Sequence, residues 1–66
     1  MKELIINGSK RELDASTVED VVRLLGLEGR PVVAEVNGEV LTLERWADTA
    51  TEPGMSIELV HFVGGG

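Results

Sequence analysis

Leu4 to Gly26 reads LIINGSKRELDASTVEDVVRLLG, and this stretch holds a strand pair and the helix that follows it. Leu4-Ile5-Ile6 is a short β-rich run, and Asn7-Gly8 is a strong hairpin signal because both residues tolerate positive φ. The return strand is expected at about Lys10 to Leu13, with charged residues on its exposed side. Ser16-Thr17-Val18-Glu19 has the spacing of a capping box, which predicts that Ser16 accepts from the Glu19 backbone N–H and that Glu19 reaches back. Val18, Val21, Val22 and Leu25 then recur at i, i+3, i+4 and i+7, one apolar stripe of a helix. Gly26 stands where a left-handed residue would end it.

The rest of the chain repeats the first device. Val32 to Val36 reads as a third strand, and a second Asn-Gly pair, Asn37-Gly38, turns it into a fourth at about Glu39 to Leu41. Thr42 to Ala47 is expected to form a short helical turn carrying Trp46. Pro53-Gly54 makes another turn, and Ile57 to Phe62 is the last strand. The order ββαββ, a helical turn, then β closes if the last strand lies beside the first and the sheet grips the helix on one face. Right-handed crossover from the second strand through the helix supports this arrangement. The expected fold is α+β, a β-grasp (ubiquitin-like) mixed sheet of about five strands on one helix. The inward set is Leu4, Ile6, Leu13, Val18, Val22, Leu25, Val32, Ala34, Val36, Leu41, Ile57 and Leu59, with Trp46 sealing one end.

Strand alternation then turns other apolar residues outward. If Ile57 and Leu59 face in, Val60 and Phe62 face out, and by the same rule so do Ile5 and Val33. With the first, third and last strands adjacent, Ile5, Val33, Val60 and Phe62 are expected to form one docking patch for a partner. Immediately after this strand come Gly64-Gly65-Gly66. Glycines remove Cβ atoms, so a tail can enter a narrow channel, and they leave the terminal carbonyl carbon open to attack. Four extended residues from Val63 to Gly66 reach at most about 14 Å. Residues 1–63 are therefore read as the folded domain and 64–66 as a flexible tail that enters a partner's active site.

Bulk properties limit what else the chain can be. Sixty-six residues allow one domain with a small core. With no cysteine there is no disulfide framework, thiolate metal site or redox motif. A formal charge of −6 repels phosphate backbones, so nucleic acid is not expected as a partner. No signal peptide is read at Met1 to Gly8, and no run approaches the roughly 18 apolar residues of a membrane span. A cytoplasmic domain without membrane contact is expected. Neither a catalytic set nor a metal site is expected in this chain. His61 has the opposite strand parity from Val60 and Phe62 at the strand end, and Trp46 reads as core packing. Asp14, Glu19 and Asp20 gather at a helix start, where carboxylates favour the dipole. Asp48 and Glu52 read as solvated loop charges.

Over essentially its whole length the chain resembles ThiS, the sulfur carrier family of thiamine biosynthesis. The resemblance rests on Ile6-Asn7-Gly8, on Ser16-Thr17-Val18, on Val33-Ala34-Glu35-Val36-Asn37-Gly38-Glu39-Val40, on Trp46 at its usual distance, on Ile57-Glu58-Leu59-Val60 and on Phe62-Val63-Gly64-Gly65-Gly66. It departs at Pro53-Gly54-Met55, where members often carry an acidic residue on each side of the turn glycine, and at the third glycine, Gly64.

The resemblance implies that a ubiquitin-activating-like adenylating enzyme converts the Gly66 carboxylate to an acyl-adenylate. That partner would use ATP and Mg²⁺, and this chain would bind no cofactor of its own. A persulfide drawn from a cysteine desulfurase would then leave a terminal thiocarboxylate, and a thiazole synthase would accept the sulfur. The chain is thus expected to be a protein co-substrate and not an enzyme. Alternatives with the same kind of ending are the carrier of molybdenum-cofactor synthesis, a ubiquitin-like covalent protein modifier and a plain interaction domain.

Overall fold

The computed structural model describes residues 1–61; the expectations placed on Phe62 and on Gly64, Gly65 and Gly66 lie outside the described residues. Its strands are β1 (Lys2–Ile6), β2 (Ser9–Leu13), β3 (Val32–Val36), β4 (Glu39–Leu41) and β5 (Ser56–His61), with one helix, α1 (Val18–Leu24). A 3-10 helix, Leu43–Asp48, connects β4 to the last segment. The sheet order is β2-β1-β5-β3-β4, the mixed β-grasp arrangement expected from the element order. β5 runs parallel to β1 and antiparallel to β3, so the last strand occupies the centre.

Both hairpins turn on Asn-Gly pairs with positive φ, 51° and 84° at Asn7-Gly8 and 49° and 89° at Asn37-Gly38. Such turns match the right-handed strand twist, which sets the registers Ile6↔Ser9 and Val36↔Glu39. The turn asparagines also do a second job. Asn7 Oδ1 accepts from the Leu59 N–H at 2.8 Å, and Asn37 Oδ1 accepts from the Ser56 N–H at 3.2 Å. Each hairpin turn thus holds β5 from one side.

The helix start differs from its expected position by one residue. Thr17, not Ser16, is the N-cap, and Asp20, not Glu19, completes the capping box. Thr17 Oγ1 accepts from the Asp20 N–H, and Asp20 Oδ2 accepts from the Ser16 and Thr17 N–H groups. The reason is tertiary: Thr17 bridges Ala50, and the Ser16 carbonyl accepts from Thr51 N–H at 2.9 Å, so the chain stays extended through Thr17. Hydrogen bonds from the Ser16 and Thr17 backbones, with Arg23 beside it, hold the Asp20 carboxyl below its ordinary range. At the other end, Gly26 at φ 75° donates to the Arg23 carbonyl and Leu27 to the Val22 carbonyl, a Schellman stop.

The core lies between α1 and one face of the sheet. Leu4, Ile6, Val18, Val22, Ala34, Trp46, Ile57 and Leu59 are buried as expected, while Leu13, Leu25, Val32, Val36 and Leu41 are only partly buried around them. The core also takes Ala15, Val21 and Met55, which the inward set omits. Trp46 Nε1 donates to the Leu41 carbonyl at 3.1 Å, which allows the ring to be buried without an orphan donor. Thr51 Oγ1 donates to the Ala15 carbonyl at 2.6 Å and accepts from Lys2 Nζ at 2.9 Å, joining the β1 end to the segment before β5.

Replacing either turn asparagine by glycine keeps the positive φ and removes only the carboxamide. Asn7→Gly strands a part-buried donor and is expected to cost about 1–3 kcal/mol. Asn37→Gly exposes the Ser56 N–H to water and is expected to cost well under that. Urea unfolding of both variants checks the order; equal losses would mean that the Leu59 contact contributes nothing beyond the turn.

Candidate functional site

Side-chain alternation leaves the sheet face opposite α1 open, and the register decides what shares it. Val33 of β3 stands directly opposite Val60 of β5, and one step along, Glu35 stands opposite Glu58 and also Val40 of β4. Val60 is 47% exposed and Val40 65%. The structure therefore brings Val33 and Val60 together, as the expected patch requires. It does not bring Ile5 to them. Ile5 pairs with Ser56 in the parallel register and with Lys10 of β2, which sets it four residues before Val60 along β5, about 13 Å away. The acidic Glu35–Glu58 pair lies between. On this face the valine pair stands beside β4 and Ile5 stands apart from it; Phe62 lies outside the described residues.

Val40 was missed, although its signal was present. A two-residue turn at Asn37-Gly38 pairs Val40 with Glu35, so an outward Glu35 makes Val40 outward too. The acidic pairs were missed for a better reason, because cross-strand partners follow from register and not from local sequence. Glu3 faces Glu12 across β1 and β2 in the same way as Glu35 faces Glu58. Like charges directly opposite are destabilising by a few tenths of a kcal/mol or more. The ion pairs among the described residues all gather elsewhere, around Arg23 with Glu19, Asp20 and Glu28.

His61 closes the described part of β5, opposite Val32 and on the inward parity. Among the described residues no group of His, Asp and Glu could hold a metal ion, and no helix is long and apolar enough to cross a membrane. A depression lined by Val36, Asn37, Glu39, Val40, Leu41, Arg45 and Thr49 sits at the β3–β4 turn. That is the opposite end of β3 from Val32, so it lies away from the end of β5.

The ThiS family model matches residues 4–66. The chain belongs to the ThiS family. It is 37% identical over 65 residues to the sulfur carrier protein ThiS of Bacillus subtilis, covering 96% of this chain and 98% of that one. The crystal structure of the thiamine biosynthesis protein ThiS from Geobacter metallireducens superposes with a TM-score of 0.80 at 31% identity, over 97% of this chain and 99% of that one. A third relative is larger. The chain is 40% identical over 65 residues to a thiazole synthase of Paramagnetospirillum magneticum, but it spans only 20% of that protein's length. ThiS proteins are small sulfur carriers of thiamine biosynthesis, and the chain is of that kind: a carrier and not a catalyst.

Glu58→Lys replaces a facing like-charged pair by an opposite one. The isolated domain is expected to gain about 0.2–1 kcal/mol at low salt, with the gain shrinking in 1 M salt as screening sets in. Thermal melts at both ionic strengths check this; no gain at low salt would mean that the two carboxylates are splayed beyond effective range.

Proposed function

We propose that the Gly66 carboxylate is the group that carries sulfur, and that Gly64 and Gly65 let it enter the active sites of two partners. A carboxylate resists attack because it has no good leaving group. An adenylating enzyme using ATP and Mg²⁺ joins it to AMP with loss of pyrophosphate. A persulfide sulfur, supplied by way of a cysteine desulfurase, then attacks the carbonyl carbon and expels AMP. Two electrons from a thiol cleave the resulting acyl disulfide, leaving a terminal thiocarboxylate. The thiazole synthase takes that sulfur into the ring. ATP and persulfide sulfur are both met in the cytoplasm, which we assign as the compartment.

The observation that carries this reading is the family match running to residue 66, glycine ending included. The Paramagnetospirillum relative supports thiazole synthase as the acceptor, since a segment like this chain is built into a protein of that name. Joining two partners in one chain raises their effective concentration, which is useful only if they meet. The same match favours the thiamine pathway over molybdenum-cofactor synthesis or protein modification. Docking is assigned to the outward face around Val33, Val60 and Val40, together with Phe62. Ile5, across the acidic pair, is assigned to the margin of that contact.

Incubation with a cognate adenylating enzyme, ATP and a sulfur donor is expected to add about 16 Da, one oxygen replaced by sulfur. An unchanged intact mass, while a ThiS carrier from another source is converted in parallel, would reject the assignment. A chain extended by an amide bond beyond Gly66 is expected not to load.

Truncating Val60 and Phe62 together to alanine is expected to weaken binding to the activating enzyme at least about tenfold while the melting temperature stays near that of the parent. Calorimetry beside a thermal melt checks it. Unchanged affinity in a folded double variant would move docking off this face.

A further inference from the structure

β5 outruns its neighbour. Its pairing with β1 ends at Ile6↔Ile57, because β1 itself ends there and the chain turns back at Asn7-Gly8. On the other side β3 follows β5 all the way to Val32↔His61. Among the described residues, the last part of β5 is therefore flanked by main chain on one edge only.

Hydrogen bonds fix which groups face the open edge. Ser56 donates to the Asn37 side chain, and its carbonyl accepts from the Asn37 N–H, so Ser56, Glu58 and Val60 direct their backbone groups toward β3. The Ile57 carbonyl accepts from the Asn7 N–H, and the Leu59 N–H donates to Asn7 Oδ1. Ile57, Leu59 and His61 thus point the other way. The Asn7 carboxamide stands in for a missing strand at the Leu59 N–H and reaches no further. Next in line are the Leu59 carbonyl and the N–H and carbonyl of His61. Among the described residues none of these three has a main-chain or side-chain hydrogen-bond partner.

We propose that this open edge, from the Leu59 carbonyl through His61, receives an extended segment of the adenylating enzyme, which adds to the sheet as a short strand beside β5. An unpaired strand edge is a ready template for such addition. The occupant follows from reach. Gly66 is the fifth residue after His61, and five extended residues span at most about 17–18 Å. Any protein that holds Gly66 at its reacting centre therefore has its surface within that distance of the edge. Main-chain bonds there would fix the direction in which residues 62–66 leave the sheet, which side-chain contacts on the outward face alone do not. This rests on the carrier reading given above.

The test is amide hydrogen exchange on the full chain, free and saturated with the adenylating enzyme before ATP is added. The His61 amide is expected to exchange quickly in the free chain and at least about fivefold more slowly in the complex, the protection of roughly one added hydrogen bond. The Val60 amide, bonded toward β3, is expected to be slow in both. An unprotected His61 amide in the saturated complex would overturn the proposal. So would protection already present in the free chain, or protection that grows with its concentration, since these make its own residues or a second copy the occupant.

His61→Pro gives an independent readout. It removes the N–H that faces the open edge and no bond to β3, and proline is tolerated in strands where its missing N–H faces away from the ladder. Binding is expected to fall at least about fivefold, with His61→Ala binding as the parent does. A folded proline variant with parental affinity overturns the proposal; if the variant does not fold, the exchange result on the parent chain decides. Adding ATP and a sulfur donor to the same parent sample separates the two ideas. A chain that loads with His61 unprotected defeats only the strand addition, and a chain that fails to load defeats the carrier reading itself.

Discussion

The structure depends on the seating of β5 between β1 and β3. Ser56 to His61 comes from the far end of the chain and must find partners about fifty residues away on one side and about twenty to thirty on the other. Its contribution is correspondingly large: Ile57 and Leu59 are buried, and its backbone joins two hairpins that do not otherwise share a ladder. The turn asparagines make this seating specific. An Asn-Gly turn needs a residue that accepts positive φ, and glycine in both places would meet that need. Asparagine adds a carboxamide, and both carboxamides reach β5. Hairpin geometry and long-range strand placement are thereby satisfied by the same two side chains.

Function follows from what the seated strand presents. A central strand with α1 on one side leaves the opposite face open among the described residues, and β5 carries that face as far as His61. The valines of the face are flanked by carboxylates set opposite one another, an arrangement that favours a partner bringing cations over self-association. A 66-residue chain has a small core and little stability to spare, so such a pair is informative where it occurs. The capping network around Thr17 and Asp20 and the Lys2–Thr51–Ala15 chain of hydrogen bonds contribute on the other side of the balance.

Much of this was legible in the residues themselves. Asn7-Gly8 and Asn37-Gly38 announced two hairpins, the Val18, Val21, Val22, Leu25 stripe with Gly26 after it announced a helix and its stop, and period-two alternation sorted the faces of β1, β3 and β5 correctly. These signals are local, with each residue's conformation set by neighbours within a turn or two. The capping box was displaced by one residue because two candidates, Ser16 and Thr17, stand side by side. The bridge from Thr17 to Ala50, with the bonds of Ser16 to Thr51 and Val18 to Thr49 on either side of it, keeps Thr17 extended and makes it the cap. Met55 entered the core unannounced because the Pro53-Gly54 turn hides it, although it continues the inward parity of Ile57 and Leu59 one step back and its carbonyl accepts from the Ile5 N–H.

The sequence by itself therefore determined the elements, their order and the faces of β1, β3 and β5. Tertiary structure alone decided the neighbours across strands: that Val33 meets Val60, that Glu35 meets Glu58 and Glu3 meets Glu12, that Ile5 stands apart, and that β5 runs on past the end of β1. The physical reason is register. Alternation says which face a residue is on, but its position along that face depends on how strands distant in sequence slide against each other. That offset is set by turns, buried side chains and the two asparagines acting together, and no short stretch of the chain encodes it.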